Sequence, residues 1–256
     1  MSKSGKRVAW VTGGGSGIGE AGAEALAADG WTVVVSGRRK DALDAVVAKI
    51  TKAGGAAEAI ALDVSKATEA QKAADDIVAR HGRIDLLVNN AGINVPKRSW
   101  KDMELEGWDR LVQVNLNGVL YCMRAVLPTM RKQQDGSIIN VSSWAGRHVS
   151  KMPGPAYTTT KHAVLALTHS FNMDECVNGL RACCLMPGEV ATPILKLRPV
   201  VPSEAEQAKM LQPEDLGRTI AFIASMPARV CINEVLISPT HNRGFIQTRT
   251  TGIDCP

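Results

Sequence analysis

The chain of 256 residues is 45% hydrophobic and 21% charged, proportions typical of a globular protein with one large core. Its net charge of +5 is dispersed and 4% of its residues are aromatic, so neither nucleic acid nor a membrane is an expected partner. No apolar segment is long enough to span a bilayer. None of the six cysteines forms a C-x-x-C pair, so no metal is expected. These features predict a single-domain cytoplasmic protein.

Apolar runs alternate with helical patterns along the chain. Predicted strands cover residues 8–11, 31–35, 59–62, 84–88, 137–142, 180–186 and 231–237. Predicted helices cover residues 20–29, 66–80, 106–131 and 155–178, and two more begin near Asp41 and Pro213. This alternation predicts an α/β fold with one doubly wound parallel sheet of about seven strands and helices on both faces. Residues 1–6 would be a flexible N-terminus, residues 188–212 a substrate lid and residues 241–256 a C-terminal tail.

A glycine-rich loop, Thr12-Gly-Gly-Gly-Ser-Gly-Ile-Gly19, joins the first strand to the first helix. Its glycines follow the pattern Thr-Gly-x-x-x-Gly-x-Gly. Glycine lets the backbone approach a pyrophosphate closely, and the N-terminus of the helix adds free N–H groups. A flexible turn is the alternative, but the position between a strand and a helix favours a Rossmann-type dinucleotide site. The expected cofactor contacts in this loop are Gly13, Ser16, Gly17, Ile18 and Gly19.

The end of the second strand is expected to select the cofactor. An NAD-binding protein of this type carries an acid about 20 residues after the glycine loop, where it binds a ribose hydroxyl. This chain has Gly37 and Arg38 there instead, and arginine suits a 2′-phosphate. We therefore predict NADP(H) as the preferred cofactor and NAD(H) as the second choice. The alternative interpretation of Arg38 and Arg39 is a solvated, basic start of the next helix.

Polar and small residues follow the third and fourth strands. Asp63 could accept a hydrogen bond from an adenine amino group, or it could cap the next helix, for which Ser65 is better placed. Asn89-Asn-Ala-Gly92 ends the fourth strand, where small residues would let a cofactor lie against the backbone. The expected cofactor contacts here are Asp63, Val64, Asn90, Ala91 and Gly92.

Tyr157 and Lys161 are one helical turn apart on the same face of the predicted helix 155–178. A nearby ammonium favours the phenolate, so we expect the pKa of Tyr157 to fall from about 10 toward neutrality. A tyrosine tuned in this way can donate a proton to a carbonyl oxygen or accept one from an alcohol. Ser143, at the end of the preceding strand, could hold the same oxygen. Taken alone, such a pair more often means a surface lysine beside a part-buried tyrosine.

Asn115 falls in the middle of the predicted helix 106–131, where asparagine is unfavourable. Its neighbours Val114, Leu116 and Val119 indicate a buried face, on which an amide needs hydrogen-bond partners. The alternative interpretation is a polar surface position.

These motifs occur in the order and spacing of the short-chain dehydrogenases/reductases, and the chain resembles that family over about residues 6 to 240. The resemblance implies that Tyr157 is the general acid/base, that Lys161 lowers its pKa and holds the nicotinamide ribose, and that Ser143 positions the substrate oxygen. It also implies that Asn115 orders a water molecule that relays protons to Lys161.

The resemblance extends to the remaining walls of the site. It implies cofactor contacts from Pro187, Gly188, Val190 and Thr192, together with Tyr157 and Lys161. Candidate substrate contacts are Asn94, Val95, Ser143, Trp144, His148, Met152, Glu189 and Ile194. The segment 233–243 departs from the glycine-rich ending that is common in the family, and looks more like the NADP-linked hydroxy-acid and serine dehydrogenases.

The predicted helices 106–131 and 155–178 carry apolar residues beyond one core-facing stripe, and we expect these on an assembly surface: Leu120, Tyr121, Val164, Leu165 and Phe171. Family members pair the corresponding helices across a two-fold axis, so we predict a homotetramer, with a dimer as the alternative. The implied activity is hydride transfer between NADP(H) and a small-molecule carbonyl compound or secondary alcohol. The rival interpretations are a same-fold epimerase or dehydratase that retains its nucleotide, and a non-catalytic NADP-binding protein.

Overall fold

The computed structural model describes residues 6–198, 200–243 and 245. Residues 1–5 of the predicted flexible N-terminus, and residues 244 and 246–256 of the predicted tail, lie outside the described residues. The strands are β1 (Val8–Thr12), β2 (Thr32–Gly37), β3 (Ala56–Ala61), β4 (Leu86–Asn89), β5 (Gly136–Val141), β6 (Leu180–Pro187) and β7 (Glu234–Ile237). They form one parallel sheet in the order β3-β2-β1-β4-β5-β6-β7.

Helices cover both faces of this sheet. They are α1 (Gly17–Ala28), α2 (Lys40–Lys52), α3 (Ala67–His81), α4 (Leu105–Val112), α5 (Gly118–Gln133), α6 (Pro155–Glu175), α7 (Glu204–Gln207) and α8 (Pro213–Ser225). Helices α1, α2 and α8 pack on one face, and α3, α5 and α6 pack on the other. The predicted α/β fold with a doubly wound parallel sheet is therefore confirmed.

The central strands are buried on both faces, because their side chains alternate between two apolar layers. In β1, Val11 packs into the layer that contains Leu26 of α1, whereas Trp10 packs into the layer that contains Ile77 of α3. Trp10 is fully buried, and its indole Nε1 donates a hydrogen bond to Oγ of Ser36 at 2.9 Å. This double burial explains why the central strands are continuous apolar runs.

The sheet has its switch point between β1 and β4, where the strand order reverses direction. In sheets of this kind, ligands bind in the crevice at the carboxyl ends of the two strands. The glycine loop follows β1 and the segment 90–92 follows β4, so the fold brings both predicted motifs to this edge. The segments that carry Ser143 and Glu189 follow β5 and β6 at the same edge. The topology therefore concentrates the predicted functional residues at one end of the sheet.

The predicted helix 106–131 is present as a continuous helical segment from Leu105 to Gln133, but a π-turn at Gln113–Asn117 lies between α4 and α5. Asn115 lies in the middle of this turn and is 1% exposed. A π-turn adds a residue to the helical repeat and changes the direction in which its side chains point. Here the change directs Asn115 toward the backbone of Ile93, which binds both atoms of its amide.

Neither Asp63 nor Ser65, the two alternatives for the cap of α3, caps that helix. The residue that precedes the helix is Lys66, and no side chain caps the helix there. Oδ1 of Asp63 instead accepts hydrogen bonds from the backbone N of Ser65 at 3.0 Å and from its Oγ at 2.7 Å. Both side chains are therefore used in the turn before the helix.

The predicted lid, residues 188–212, is closed at its base by backbone hydrogen bonds. The N of Ala191 donates to the O of Leu211 at 2.9 Å, and the N of Leu211 donates to the O of Glu189 at 3.0 Å. Between these points the chain forms a 3₁₀ turn at Pro193–Leu197 and the short helix α7. The segment therefore leaves the sheet edge beyond β6 and returns to the same place.

Two residues expected on a free assembly surface are buried inside the protein. Val164 and Phe171 of α6 belong to the apolar layer between the sheet and its helices. On α5, Leu120 is exposed, and the outer surface of α6 and the turn after it carry exposed Met173 and Val177. Part-buried residues expected on the same surface are Tyr121 and Leu165.

Across residues 6–198, 200–243 and 245, no helix combines the length and apolar character needed to cross a membrane. The same stretch of chain holds no group of three or more His, Cys, Asp or Glu side chains arranged to bind a metal ion. Its free cysteines are Cys122, Cys176, Cys183, Cys184 and Cys231.

Candidate active site

A cavity of about 430 Å³ lies at the carboxyl end of the sheet, between the segments that follow β1, β4, β5 and β6. Most of the predicted site residues line it: Gly13, Ser16, Gly17, Ile18, Asn90, Ala91, Gly92, Asn94, Ser143, Trp144, Met152, Tyr157, Lys161, Pro187, Gly188, Glu189, Val190, Thr192 and Ile194. The predicted residues outside its lining are Gly19, Arg38, Asp63, Val64, Val95, Asn115 and His148.

The glycine loop packs too closely on its neighbours to carry side chains. Gly13 has φ +64°, and a Cβ there would lie 2.9 Å from the Cα of Ala91. A Cβ on Gly19 would lie 2.4 Å from the O of Gly13, so this glycine lets α1 begin directly against the loop. No side chain caps the N-terminus of α1. Its first N–H groups and the helix dipole therefore suit a pyrophosphate.

Asn90 connects the ends of β1 and β4. Its Nδ2 donates to the O of Thr12 at 3.2 Å and to the O of Gly13 at 3.1 Å. In return, Oγ1 of Thr12 accepts from the backbone N of Asn90 and of Ala91, both at 3.1 Å. Asn90 therefore holds the glycine loop in place as well as lining the cavity.

Arg38 and Asp63 lie beyond the cavity, at the ends of the neighbouring strands β2 and β3. Burial alone would raise the pKa of Asp63, but hydrogen bonds from Ser65 and the positive charges of Arg38 and Lys66 hold it below its ordinary value. Arg38 is exposed. Its guanidinium is thus close enough to influence Asp63 and is open to solvent.

Tyr157 stands in the first turn of α6 and forms a hydrogen bond with Ser143. Burial raises the pKa of Tyr157, and the bond with Ser143 and the charges of Arg198 and Arg98 oppose this rise. The expectation that Lys161 brings this pKa toward neutrality is wrong here. The ammonium lies 5.6 Å from the centroid of the tyrosine ring and donates instead to the O of Val141 at 2.9 Å.

Lys161 is buried beneath the cavity, with 5% of its surface exposed. Burial lowers its pKa from 10.5 to about 8, against a small opposing effect of the nearby Cys184 thiol. The bond to Val141 fixes the ammonium at the end of β5. Lys161 is therefore a cation that can release its proton near neutral pH.

Asn115 approaches the same place from the other side. Its Oδ1 accepts from the N of Ile93 at 2.8 Å, and its Nδ2 donates to the O of Ile93 at 2.9 Å. A Cβ on Gly92 would lie 3.5 Å from Oδ1 of Asn115 and 3.6 Å from Nζ of Lys161. Gly92 therefore lies within contact distance of both side chains. Both polar atoms of the Asn115 amide are bound to the backbone of Ile93.

The adjacent serines after β5 have different surroundings. Ser142 is buried, and its Oγ donates to the O of Lys161 at 2.8 Å, which joins β5 to α6. Oγ of Ser143 accepts from the N of Ala145 at 3.1 Å and forms the bond with Tyr157. Ser143 is thus the serine whose hydroxyl is beside the phenol.

The wall opposite the glycine loop combines aromatic and charged residues. Trp144 stacks on His148, with ring centroids 4.5 Å apart, so His148 supports Trp144 from outside the cavity. Glu189 accepts from Nη1 of Arg198 at 2.6 Å and from Nε of Arg243 at 2.8 Å. Burial raises the pKa of Glu189, but the two arginines outweigh it and keep the pKa below its ordinary value.

Sequence reasoning missed two arginines in this wall, Arg98 and Arg198. Arg98 follows Lys97 in the loop after β4, and a basic pair in a loop is usually solvated surface. Arg198 falls in the predicted lid, beside a proline-rich stretch that indicated an irregular segment. Other unpredicted residues of the lining are Val141, Ser142, Ala145, Ser150, Pro153, Pro193, Leu195 and Asn242.

Residues 7–199 match the family described as short chain dehydrogenase. A 3-oxoacyl-(acyl-carrier-protein) reductase from Synechocystis sp. is 38% identical over 237 residues, which cover 88% of this chain and 92% of the relative. An alcohol dehydrogenase from the archaeon Thermococcus sibiricus, complexed with 5-hydroxy-NADP, superposes with a TM-score of 0.84 at 28% identity, covering 93% of this chain and 98% of its own. A metagenomic short-chain oxidoreductase in complex with NADP superposes with a TM-score of 0.80 at 33% identity, covering 92% of this chain and 98% of its own.

A parallel Rossmann-type sheet, a glycine loop at its switch point and a cavity that contains Ser143, Tyr157 and Lys161 define a nicotinamide-dependent oxidoreductase. The chain belongs to the short-chain dehydrogenase/reductase family. It acts on a CH–OH group or on the corresponding carbonyl.

Proposed function

We propose that the protein transfers a hydride between NADP(H) and the carbon of a ketone, aldehyde or secondary alcohol, with Tyr157 as the general acid/base. The observation that carries this proposal is that Ser143, Tyr157 and Lys161 together line a cavity whose other end is the glycine loop. When bound, the nicotinamide supplies or accepts the hydride, and the protein supplies geometry and the proton.

The cavity has the features that a dinucleotide requires. Gly13 and Gly17 have positive φ, and the unobstructed N-terminus of α1 offers N–H groups to a pyrophosphate. Lys161 and Thr192 line the cavity farther along and would hold the nicotinamide end. Preference for NADP rests on Arg38 and on Gly37, which places no acid beside a 2′-phosphate. The two solved relatives with NADP or its 5-hydroxy derivative support this preference.

Ser143 and Tyr157 would act on the substrate oxygen together. In reduction, both hydroxyls donate to the carbonyl oxygen, and Tyr157 gives up its proton as the carbon becomes an alcohol. Tyr157 is protonated at neutral pH, as a proton donor must be, and its raised pKa makes it a weaker acid than a solvated tyrosine. Lys161 stands one turn away, with its ammonium bonded to the O of Val141, and would hold the nicotinamide ribose. Asn115 would be a positioning residue that holds the Ile93 backbone beside Lys161.

A coupled assay tests the proposal. Purified enzyme is supplied with NADPH and a panel of aldehydes and ketones, and with NADP⁺ and the matching alcohols, while cofactor absorbance and product are followed. We expect one NADPH to be consumed for each alcohol formed. Substrate conversion without net consumption of cofactor would point to an epimerase or dehydratase and contradict the proposal.

A further inference from the structure

Two guanidinium groups lie at the reaction end of the cavity, where hydride and proton transfer do not require them. Arg98 comes from the loop after β4, and Arg198 comes from the end of the 3₁₀ turn after β6. Both line the cavity together with Ser143 and Tyr157. Both charges also act on the Tyr157 hydroxyl, which places them near the reacting groups and away from the adenosine end.

Arg198 shares its acidic neighbour with a second arginine. Arg198 donates to Oε1 of Glu189 at 2.6 Å, and the same carboxylate binds Nη2 of Arg243 at 2.6 Å. Nη1 of Arg243 also binds Glu206 at 3.0 Å, so two carboxylates and two arginines form one network that fixes Arg198 in the wall. Glu189 remains ionised, since the arginines overcome the effect of burial on its pKa.

Arg98 and Arg198 bring two positive charges to the same cavity wall. Burial, followed by the charge of Arg198, lowers the pKa of Arg98. An anion bound at this wall would be attracted by both guanidinium groups. The planar fork of arginine matches the two oxygens of a carboxylate.

We propose that Arg98 and Arg198 bind a carboxylate of the substrate, so that the enzyme acts on a short oxo acid or the corresponding hydroxy acid. The carbonyl would lie at Ser143 and Tyr157, and the acid group would lie at the arginines. A substrate that shares about 430 Å³ with the nicotinamide end of a cofactor has to be small. This assignment rests on the proposed function and specifies its substrate class.

Matched pairs of substrates test it. The probes are 2-oxobutanoate, 3-oxobutanoate and 4-oxopentanoate, each compared with its methyl ester, which keeps the ketone and removes the charge. We expect at least one acid to be reduced with a kcat/KM about tenfold or more above its ester, the effect of one charge-assisted contact. The difference should appear mainly in KM, because the contact holds the substrate before and during reaction.

Arg98→Gln and Arg198→Gln should each lower the ratio of kcat/KM for the acid to kcat/KM for its ester. The matched control is Arg147→Gln, since Arg147 is exposed and outside the cavity lining, and its ratio should stay at the wild-type value. Calorimetric titration of the NADP⁺ complex with the best acid and its ester gives a second readout that does not depend on turnover.

The outcomes separate this inference from the proposed function. Reduction of neutral ketones or esters as efficiently as of acids keeps the oxidoreductase and overturns the carboxylate site. An unchanged ratio in both arginine variants also overturns it. If no carbonyl compound is reduced, the proposed function fails, and the titration still decides whether the acid binds more tightly than the ester.

Discussion

Burial favours the neutral form of both side chains at the centre of the site, since it raises the pKa of Tyr157 and lowers that of Lys161 to about 8. A neutral phenol can donate a proton, and a lysine with a pKa of about 8 can both release and take up a proton near neutral pH. Ser143, Arg98 and Arg198 oppose the effect on Tyr157. Tyr157 is therefore in the protonated form that reduction of a carbonyl requires.

Tyr157→Phe tests the proton donor. The change removes one hydroxyl and little volume, so the fold should survive. Turnover should fall by about 10²–10⁴-fold, the usual loss for a general acid/base. The measurement is kcat on the best substrate, with a titration of NADPH to confirm that the cofactor still binds. Near-full turnover in this variant would show that another group supplies the proton.

Lys161 should make stability depend on pH. Its pKa is 10.5 when unfolded and about 8 in the folded protein, so between these values the unfolded chain binds more protons. Stability attributable to Lys161 therefore rises with pH in this window. Relative to Lys161→Met, the wild-type free energy of unfolding should gain roughly 2–3 kcal/mol from about pH 7 to about pH 10.

Denaturant unfolding of both proteins at the two pH values measures this difference. Lys72→Met is the control, because Lys72 is exposed on α3. Its difference from wild type should be nearly the same at both pH values. If the free energy of unfolding changed equally with pH in wild type and in Lys161→Met, the pKa of Lys161 would be the same in the folded and unfolded protein, and the prediction would be wrong.

Arg38 should set the choice of cofactor. A charge-assisted contact is worth about 1.5–3 kcal/mol, so the affinity for NADPH should be at least about tenfold higher than the affinity for NADH. Arg38→Ala should remove most of that gap, chiefly by weakening NADPH. Calorimetry with both cofactors measures it, and Arg39→Ala serves as the neighbouring control. Equal affinities in the wild type would refute the assignment.

Spacing predicted which of the proposed catalytic side chains lie close together, but it did not predict the directions of their pKa shifts. Tyr157 and Lys161 share a helix face, and Ser143 lies just after the strand that precedes this helix, so their proximity follows from local geometry. Their pKa directions follow from burial, which depends on the whole fold. Arg98 had no local signal at all, because its loop reaches the cavity through tertiary packing.

At the scale of elements, the π-turn Gln113–Asn117 shows what hydrophobic patterning misses. Apolar residues on both sides of the turn fit a helical repeat, so the sequence predicts one continuous helix. The extra residue of the turn is stabilised by contacts with Ile93, which is distant in sequence. The helix itself was predictable, and the change in its direction at Asn115 was not.

Asn115→Ala should loosen this element. It leaves the N and O of Ile93 without their buried partners, which should lower the free energy of unfolding by about 1–3 kcal/mol for each unpaired group. Turnover should fall as well, because Ile93 adjoins the Gly92 contact with Lys161. The control is Asn117→Ala, which removes a single part-buried bond to Gln113.

Chemical denaturation and kcat are measured on both asparagine variants. A loss in Asn115→Ala no greater than that in Asn117→Ala would show that the Ile93 bonds do not support the turn.

At the scale of the molecule, the sheet was predictable because both of its faces are covered. Buried strands such as β1 and β5 give apolar runs, and the helices between them require parallel crossovers. The edge strands were less accurate. β3 begins at Ala56, before the predicted boundary, and β7 begins at Glu234, after it. Edge strands are part-exposed, so their composition constrains their ends less.

Assembly is the remaining prediction at this scale, and we expect a homotetramer in which α5 and α6 form one interface. Leu120 is 37% exposed and Met173 is 79% exposed, apolar surface that a second copy would cover. Leu120→Glu with Met173→Glu should therefore reduce the assembly to a smaller species, whereas Val200→Glu, at a residue 81% exposed in the lid, should leave it unchanged. Light scattering at micromolar concentration measures the mass, and a monomeric wild type would refute the prediction.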